Sequence, residues 1–150
     1  MTSFRRFLVL VAFAFWQGGF AFYTAVVVPV GTDVLGSSAA QGFITRRVTV
    51  WMNVAGAVAI PILLLDAVAT RPMRRTRLCC VVLLAAGLVA LAIIHPRLEA
   101  LLDAASERVL NRSDFLPLHR KYLWISTAQW AVGVAYLLST VISWRRSDQR

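Results

Sequence analysis

The side chains with chemical reach in this sequence are few, and most stand inside long apolar runs. Thr24, Asn53 and Gln129 each interrupt such a run, and Tyr136 follows Gln129 on the same helical face. Counted from the nearer end of each run, the first three lie about 9, 8 and 12 Å deep. Gln17 sits nearer the middle of its run. A polar side chain in apolar surroundings has to find a partner, so these residues are expected to face inward. Two readings follow. One is a polar cavity for a small ligand or ion, built from Thr24, Asn53, Gln129 and Tyr136. The other is a set of interhelical hydrogen bonds that fixes helix order, each worth about 0.6–2 kcal/mol.

The two histidines raise a third chemistry. His95 closes one apolar run and His119 opens the next. Antiparallel neighbours would bring them together, and facing imidazoles at similar depth suit a haem. A metal would need further ligands such as Glu99 or Asp114. The competing reading is two interfacial histidines without a ligand, because His119 abuts Arg120 and Lys121. Asp66 lies near the end of an apolar run, which is a functional position by default. Arg71, Arg74 and Arg75 follow within one or two turns, so an interfacial ion pair with them is the preferred reading. Cys79 and Cys80 are adjacent, a spacing at which disulfide geometry is hard to meet, and read as apolar filler. No nucleotide loop, HExxH, GxSxG or Cys/His nucleophile pair occurs. No catalytic residue and no cofactor is therefore expected.

These side chains need long helices to hold them. Of 150 residues, 59% are hydrophobic and only 15% charged, with a mean hydropathy of +0.68. Soluble domains run nearer 45–50% apolar and about 25% charged. The surplus is gathered into runs over residues 7–30, 48–69, 78–95 and 121–144. The first is about 36 Å long as a helix, enough to cross a hydrocarbon core of about 30 Å. It starts basic and contains an Ala-x-Ala, as a signal peptide does, but runs well past the 7–15 apolar residues of a signal. It therefore reads as a retained span. Residues 31–47 are rich in turn formers and read as a loop. Pro61 should kink the second span. In the fourth, Ser126, Gln129, Gly133, Tyr136, Thr140 and Ser143 recur at spacings of three and four, which makes one polar and small stripe. Such a stripe suits a helix that must meet other helices in a membrane.

Residues 96–112 differ in kind. Leu98, Leu101, Leu102, Ala105 and Val109 share a helical face, with charges mostly elsewhere. This predicts an amphipathic helix that lies on the membrane surface or folds back onto the bundle. The expected architecture is an all-α membrane protein: four transmembrane helices plus one amphipathic interfacial helix, in a single domain over 1–150. The net charge of +9 comes from fifteen Arg and one Lys. Their placement beside apolar runs points to anionic lipid headgroups at the inner face rather than to nucleic acid. The Arg bias with abundant Ala and Val suggests a GC-rich bacterial source. The head, the 70–77 turn and the tail carry nine Lys and Arg against seven on the other side, where most acids also lie. The positive-inside rule then puts both termini inside the cell membrane.

The first span ending VVVP (Val26 to Pro29), QGFITRR (Gln41 to Arg47), the segment before the last span and FLPLHRKYLWIS (Phe115 to Ser126) resemble a family of small four-helix membrane proteins. That family includes transmembrane protein 205 and bacterial relatives with a domain of unknown function. The resemblance implies a four-span bundle and carries over no catalytic residue. The functional expectation is a non-enzymatic membrane protein acting through helix contacts, as a homo-oligomer or as a subunit beside another membrane protein. The alternatives are a permeation or small-ligand bundle, and haem or metal binding at His95 and His119.

Overall fold

In the computed structural model, which describes residues 2–103 and 108–149, four helices run antiparallel to their chain neighbours. Each is long and apolar enough to cross a membrane: α1 (Ser3–Leu35), α2 (Ser38–Ala69), α3 (Arg74–Glu99) and α4 (Arg112–Asp148). The apolar runs of α1, α3 and α4 are thus the middles of longer helices, while that of α2 is extended only at its start.

The expected loop over 31–47 shrinks to a two-residue connection. Gly36 takes a left-handed conformation (φ +61°) that ends α1, which glycine adopts without a Cβ penalty. Ser37 then caps α2, its hydroxyl accepting from the Ala40 amide at 3.3 Å. The Gly and Ser that read as loop composition are cap residues for two helices that nearly touch end to end.

The amphipathic helix expected over 96–112 is not present as such. Pro96 lies inside α3, which continues to Glu99. The chain then turns into a short antiparallel ladder, β1 (Leu102–Asp103) with β2 (Arg108–Val109), in which Leu102 pairs with Val109. Part of the expected helix, 104–107, lies outside the described residues. Leu98 still packs inward, with Leu91 and Tyr122, through the end of α3 itself. This hairpin, between α3 and α4, marks one end of the bundle. The other gathers the start of α1, the end of α2, the start of α3 and the end of α4, and is called the terminal end below.

Helix α1 is α-helical except for two π-helical segments, Ala14–Gly18 and Tyr23–Val27. The second precedes Pro29, whose ring would crowd the carbonyl of Ala25 in a regular α-turn. A widened turn relieves that crowding. The first holds Trp16 and Gln17, neighbours in sequence that are both buried. Trp16 lies against Gly56 of α2, where a Cβ would stand only 2.8 Å from the indole. Trp16, Val9, Ala59, Leu63, Leu84 and Tyr136 belong to one buried cluster, and Leu91, Leu98 and Tyr122 form a second toward the hairpin.

Candidate functional site

The α4 stripe is buried along its whole length, from Ser126 to Ser143. It serves two different polar sites. The first is an ionic node at the terminal end. Asp66 of α2 and Arg77 of α3 are both 0% exposed and paired through Oδ2 and Nη2. Arg5 of α1 donates from Nε to Asp66 Oδ1 at 2.8 Å and from Nη2 to Thr70 Oγ1 at 3.1 Å. The Trp144 indole N–H of α4 reaches the same carboxylate at 3.2 Å. One carboxylate thus collects donors from α1, α3 and α4.

Arg77 spends its remaining donors on the stripe. Its Nε donates to Thr140 Oγ1 at 3.1 Å, and Nη1 to Ser143 Oγ and Nη2 to the Tyr136 hydroxyl, both at 3.4 Å. The guanidinium also lies over the Tyr136 ring, 5.6 Å from its centroid. Tyr136 in turn donates to the Leu63 carbonyl at 2.7 Å, and Ser143 to the Pro72 carbonyl at 2.6 Å. A buried guanidinium has five N–H donors and no acceptor, so a ring of hydroxyls plus one carboxylate is the partner set it needs. Beside the node, Arg6 makes a two-pronged contact with Asp148 at 2.8 and 2.6 Å and stacks on Trp144. With the Asp66 carboxylate, the Arg77 guanidinium and the stripe hydroxyls turned on one another or on backbone, this arrangement joins helices.

The pairing of Asp66 with its near neighbours Arg71, Arg74 and Arg75 is therefore not what forms. All three arginines are exposed. Asp66 faces the bundle axis, where, among the described residues, Arg5 and Arg77 are the cations paired with it. Arg77 looked like the last charge of a basic turn. Its partner signal was the stripe itself, because Tyr136, Thr140 and Ser143 are one-turn neighbours offering hydroxyls on one face.

The second site is a small, partly open cavity of about 30 Å³ between the two apolar clusters, lined by Trp16, Gln17, Phe20, Thr49, Met52, Asn53, Leu91, Tyr122, Ser126 and Gln129. Two of the sequence candidates, Asn53 and Gln129, meet here. Asn53 donates to the Tyr122 hydroxyl at 3.4 Å and Gln129 to the Leu84 carbonyl at 2.9 Å. Thr24 does not join them. It is exposed, and its hydroxyl bonds the carbonyls of Phe20 and Ala21 on its own helix. A threonine can satisfy itself that way, whereas a Gln or Asn amide reaches outward, which is why depth alone misplaced Thr24. Tyr136 belongs to the ionic node. Gln17 lines the cavity beside Gly133, where a Cβ would come within 3.0 Å of its amide.

The histidines take separate partners. His95 Nε2 lies 3.4 Å from the Arg46 carbonyl and its Nδ1 4.0 Å from Glu99. His119 stacks on Phe115 with ring centroids 5.3 Å apart. Among the described residues, no group of three or more His, Cys, Asp or Glu side chains is placed to hold a metal ion. A shallow surface hollow of about 500 Å³ lies at the hairpin end, between Arg97, Leu101, Asp114, Pro117 and Lys121.

No family model, curated protein or solved structure matches this chain.

Tyr136→Phe is expected to lower stability by about 1–3 kcal/mol, since it strips a partner from the Leu63 carbonyl and from buried Arg77. Thermal unfolding in mild detergent checks this. A midpoint equal to wild type would mean that the hydroxyl has no share in the node.

Proposed function

We propose that this chain is a non-enzymatic, four-span integral membrane protein of a bacterial cell membrane, working through helix contacts with a second copy or with another membrane protein. The observation that carries this reading is the division of its surfaces. Phe4, Phe15 and Phe22 of α1, Val58 and Leu65 of α2, Val82 and Val89 of α3, and Leu138 of α4 are all exposed. The polar groups of Asp66, Arg77, Tyr136 and Gln129 are turned on one another or on backbone. A chain that spends its polar groups inside and presents apolar faces outside is matched to lipid and to apolar helix partners. The resemblance to the four-helix family of transmembrane protein 205 agrees with this reading.

The proposed orientation has both termini in the cytoplasm. Exposed Arg71, Arg74, Arg75, Arg145 and Arg146 surround the terminal end, where they would meet anionic lipid headgroups. Exposed Trp51 and Trp124 would then sit at the outer boundary, as interfacial aromatics do.

A second reading, a bundle that takes up a small ligand or lets one pass, is favoured by one observation: the small cavity beside Gln17, Asn53 and Gln129.

Two measurements check the proposal. Light scattering on protein in mild detergent should give a multiple of the chain mass, or a partner should co-purify. A monodisperse lone monomer would contradict it. A cysteine at exposed Ser38, introduced with Cys79→Ala and Cys80→Ala, should react with an impermeant thiol reagent added outside intact cells. Protection there, with labelling after lysis, would reverse the orientation.

A further inference from the structure

The cavity between α1, α2 and α4 is lined by a side chain that holds a buried polar atom without a partner. Gln17 is 3% exposed, and its side-chain oxygen is buried with no hydrogen-bond partner. Buried amide oxygens almost always find a donor. Here the neighbouring donors bond elsewhere. Gln129 Nε2 donates to the Leu84 carbonyl, and the Ser126 hydroxyl to the Tyr122 carbonyl, both at 2.9 Å. The Thr49 hydroxyl serves the Thr45 and Arg46 carbonyls at 2.9 Å. Asn53 Nδ2 serves the Tyr122 hydroxyl. None of these groups donates to the Gln17 oxygen, and the Gln129 and Asn53 amides each keep a second N–H, so the lining holds free donors beside one unanswered acceptor.

That balance defines a guest. An anion brings only acceptors and would face the unpaired Gln17 oxygen. A bare cation would find no carboxylate in the lining, and its lost hydration would go uncompensated in an apolar bundle. A neutral donor satisfies the orphan at no charge cost. Size narrows the choice further. One water needs roughly 10–15 Å³ of the kind of space that measures about 30 Å³ here. We propose that this cavity is an internal binding site for one small neutral hydrogen-bond donor, a water molecule or a molecule of its size, held by Gln17. The site deepens the small-ligand reading above and narrows it: an ion is the wrong guest for it.

The probe is water itself. Full-length protein with ¹⁵N-labelled glutamine is placed in lipid nanodiscs, and magnetisation transfer from water to side-chain amides is recorded. The Gln17 amide, identified by its absence in Gln17→Leu, should show transfer of the sign given by a long-lived bound water. No transfer at Gln17 in the wild type overturns the site. Thermal unfolding supplies a second arm. With a guest present, Gln17→Leu loses a satisfied bond and its midpoint should fall by about 2–4 °C. A rise would mean that an empty, unpartnered amide had been removed, and overturns the site. A midpoint that depends on sodium or potassium at constant ionic strength identifies a cation as the guest, and also overturns it. Liposome permeability separates the site from the broader reading. Bound water with no osmotic flux above protein-free vesicles upholds the site and rejects permeation. Bound water together with flux lost in Gln17→Leu upholds both.

Discussion

Asp66 carries a carboxylate to a place that solvent does not reach, and the bundle is arranged around keeping it paired. Arg77 is equally buried, so neither charge has water to fall back on. Two ions in such surroundings lose hydration worth several kcal/mol each, and their attraction repays this only when the leftover donors are also bonded. That requirement reaches across all four helices. Arg5 must arrive from the start of α1, Tyr136, Thr140 and Ser143 from the stripe of α4, and Trp144 from near its end. Helix order and relative height follow from where these groups stand in sequence. Apolar packing between Leu63, Leu84 and Val81 is less selective, since such side chains tolerate several registers while a guanidinium between a carboxylate and three hydroxyls does not.

The two internal sites divide the work of the α4 face. Its terminal half is closed on itself, with guanidinium, hydroxyls and carbonyls accounted for. Its hairpin half contains Gln129 and Ser126 at the cavity wall, where Gln17 is left with an unanswered oxygen. A helix face that is fully bonded at one end and open to a small guest at the other combines rigidity with a single place for chemistry. The small residues are part of this. Gly133 lets the Gln17 amide lie against α4, and Gly56 lets the Trp16 indole lie against α2. Each exchanges helix propensity for close approach.

The four helices were legible in the sequence because an apolar run of sufficient length leaves the backbone no other way to satisfy its hydrogen bonds in lipid. The burial of Ser126, Gln129, Gly133, Tyr136, Thr140 and Ser143 was legible from spacing, and so was the meeting of Asn53 with Gln129. The partner of Asp66 was not. Proximity in sequence favoured Arg71, Arg74 and Arg75, whereas helix rotation turns Asp66 to the axis and those three outward. Rotation depends on contacts 61 residues away at Arg5 and 78 away at Trp144, which no local pattern reports. Residues 31–47 and 96–112 were misjudged for a related reason. Turn formers such as Gly36 and Ser37 mark the ends of helices as readily as loops, and a short apolar/charged alternation fits a hairpin as well as an amphipathic helix. Thr24 shows the limit of counting depth, because a hydroxyl bonded to its own helix needs no partner and gives no direction.

The central claim is that Asp66 and Arg77 form a coupled buried pair on which the bundle depends. A double-mutant cycle with Asp66→Asn, Arg77→Met and the pair of changes together, followed by thermal unfolding in mild detergent, tests it most directly. Each single change should cost about 3–5 kcal/mol, because it strands the other charge. The double variant should cost clearly less than the sum, with a coupling above about 1 kcal/mol. Two single losses that add within about 0.5 kcal/mol, or an Asp66→Asn variant as stable as the wild type, would contradict the account.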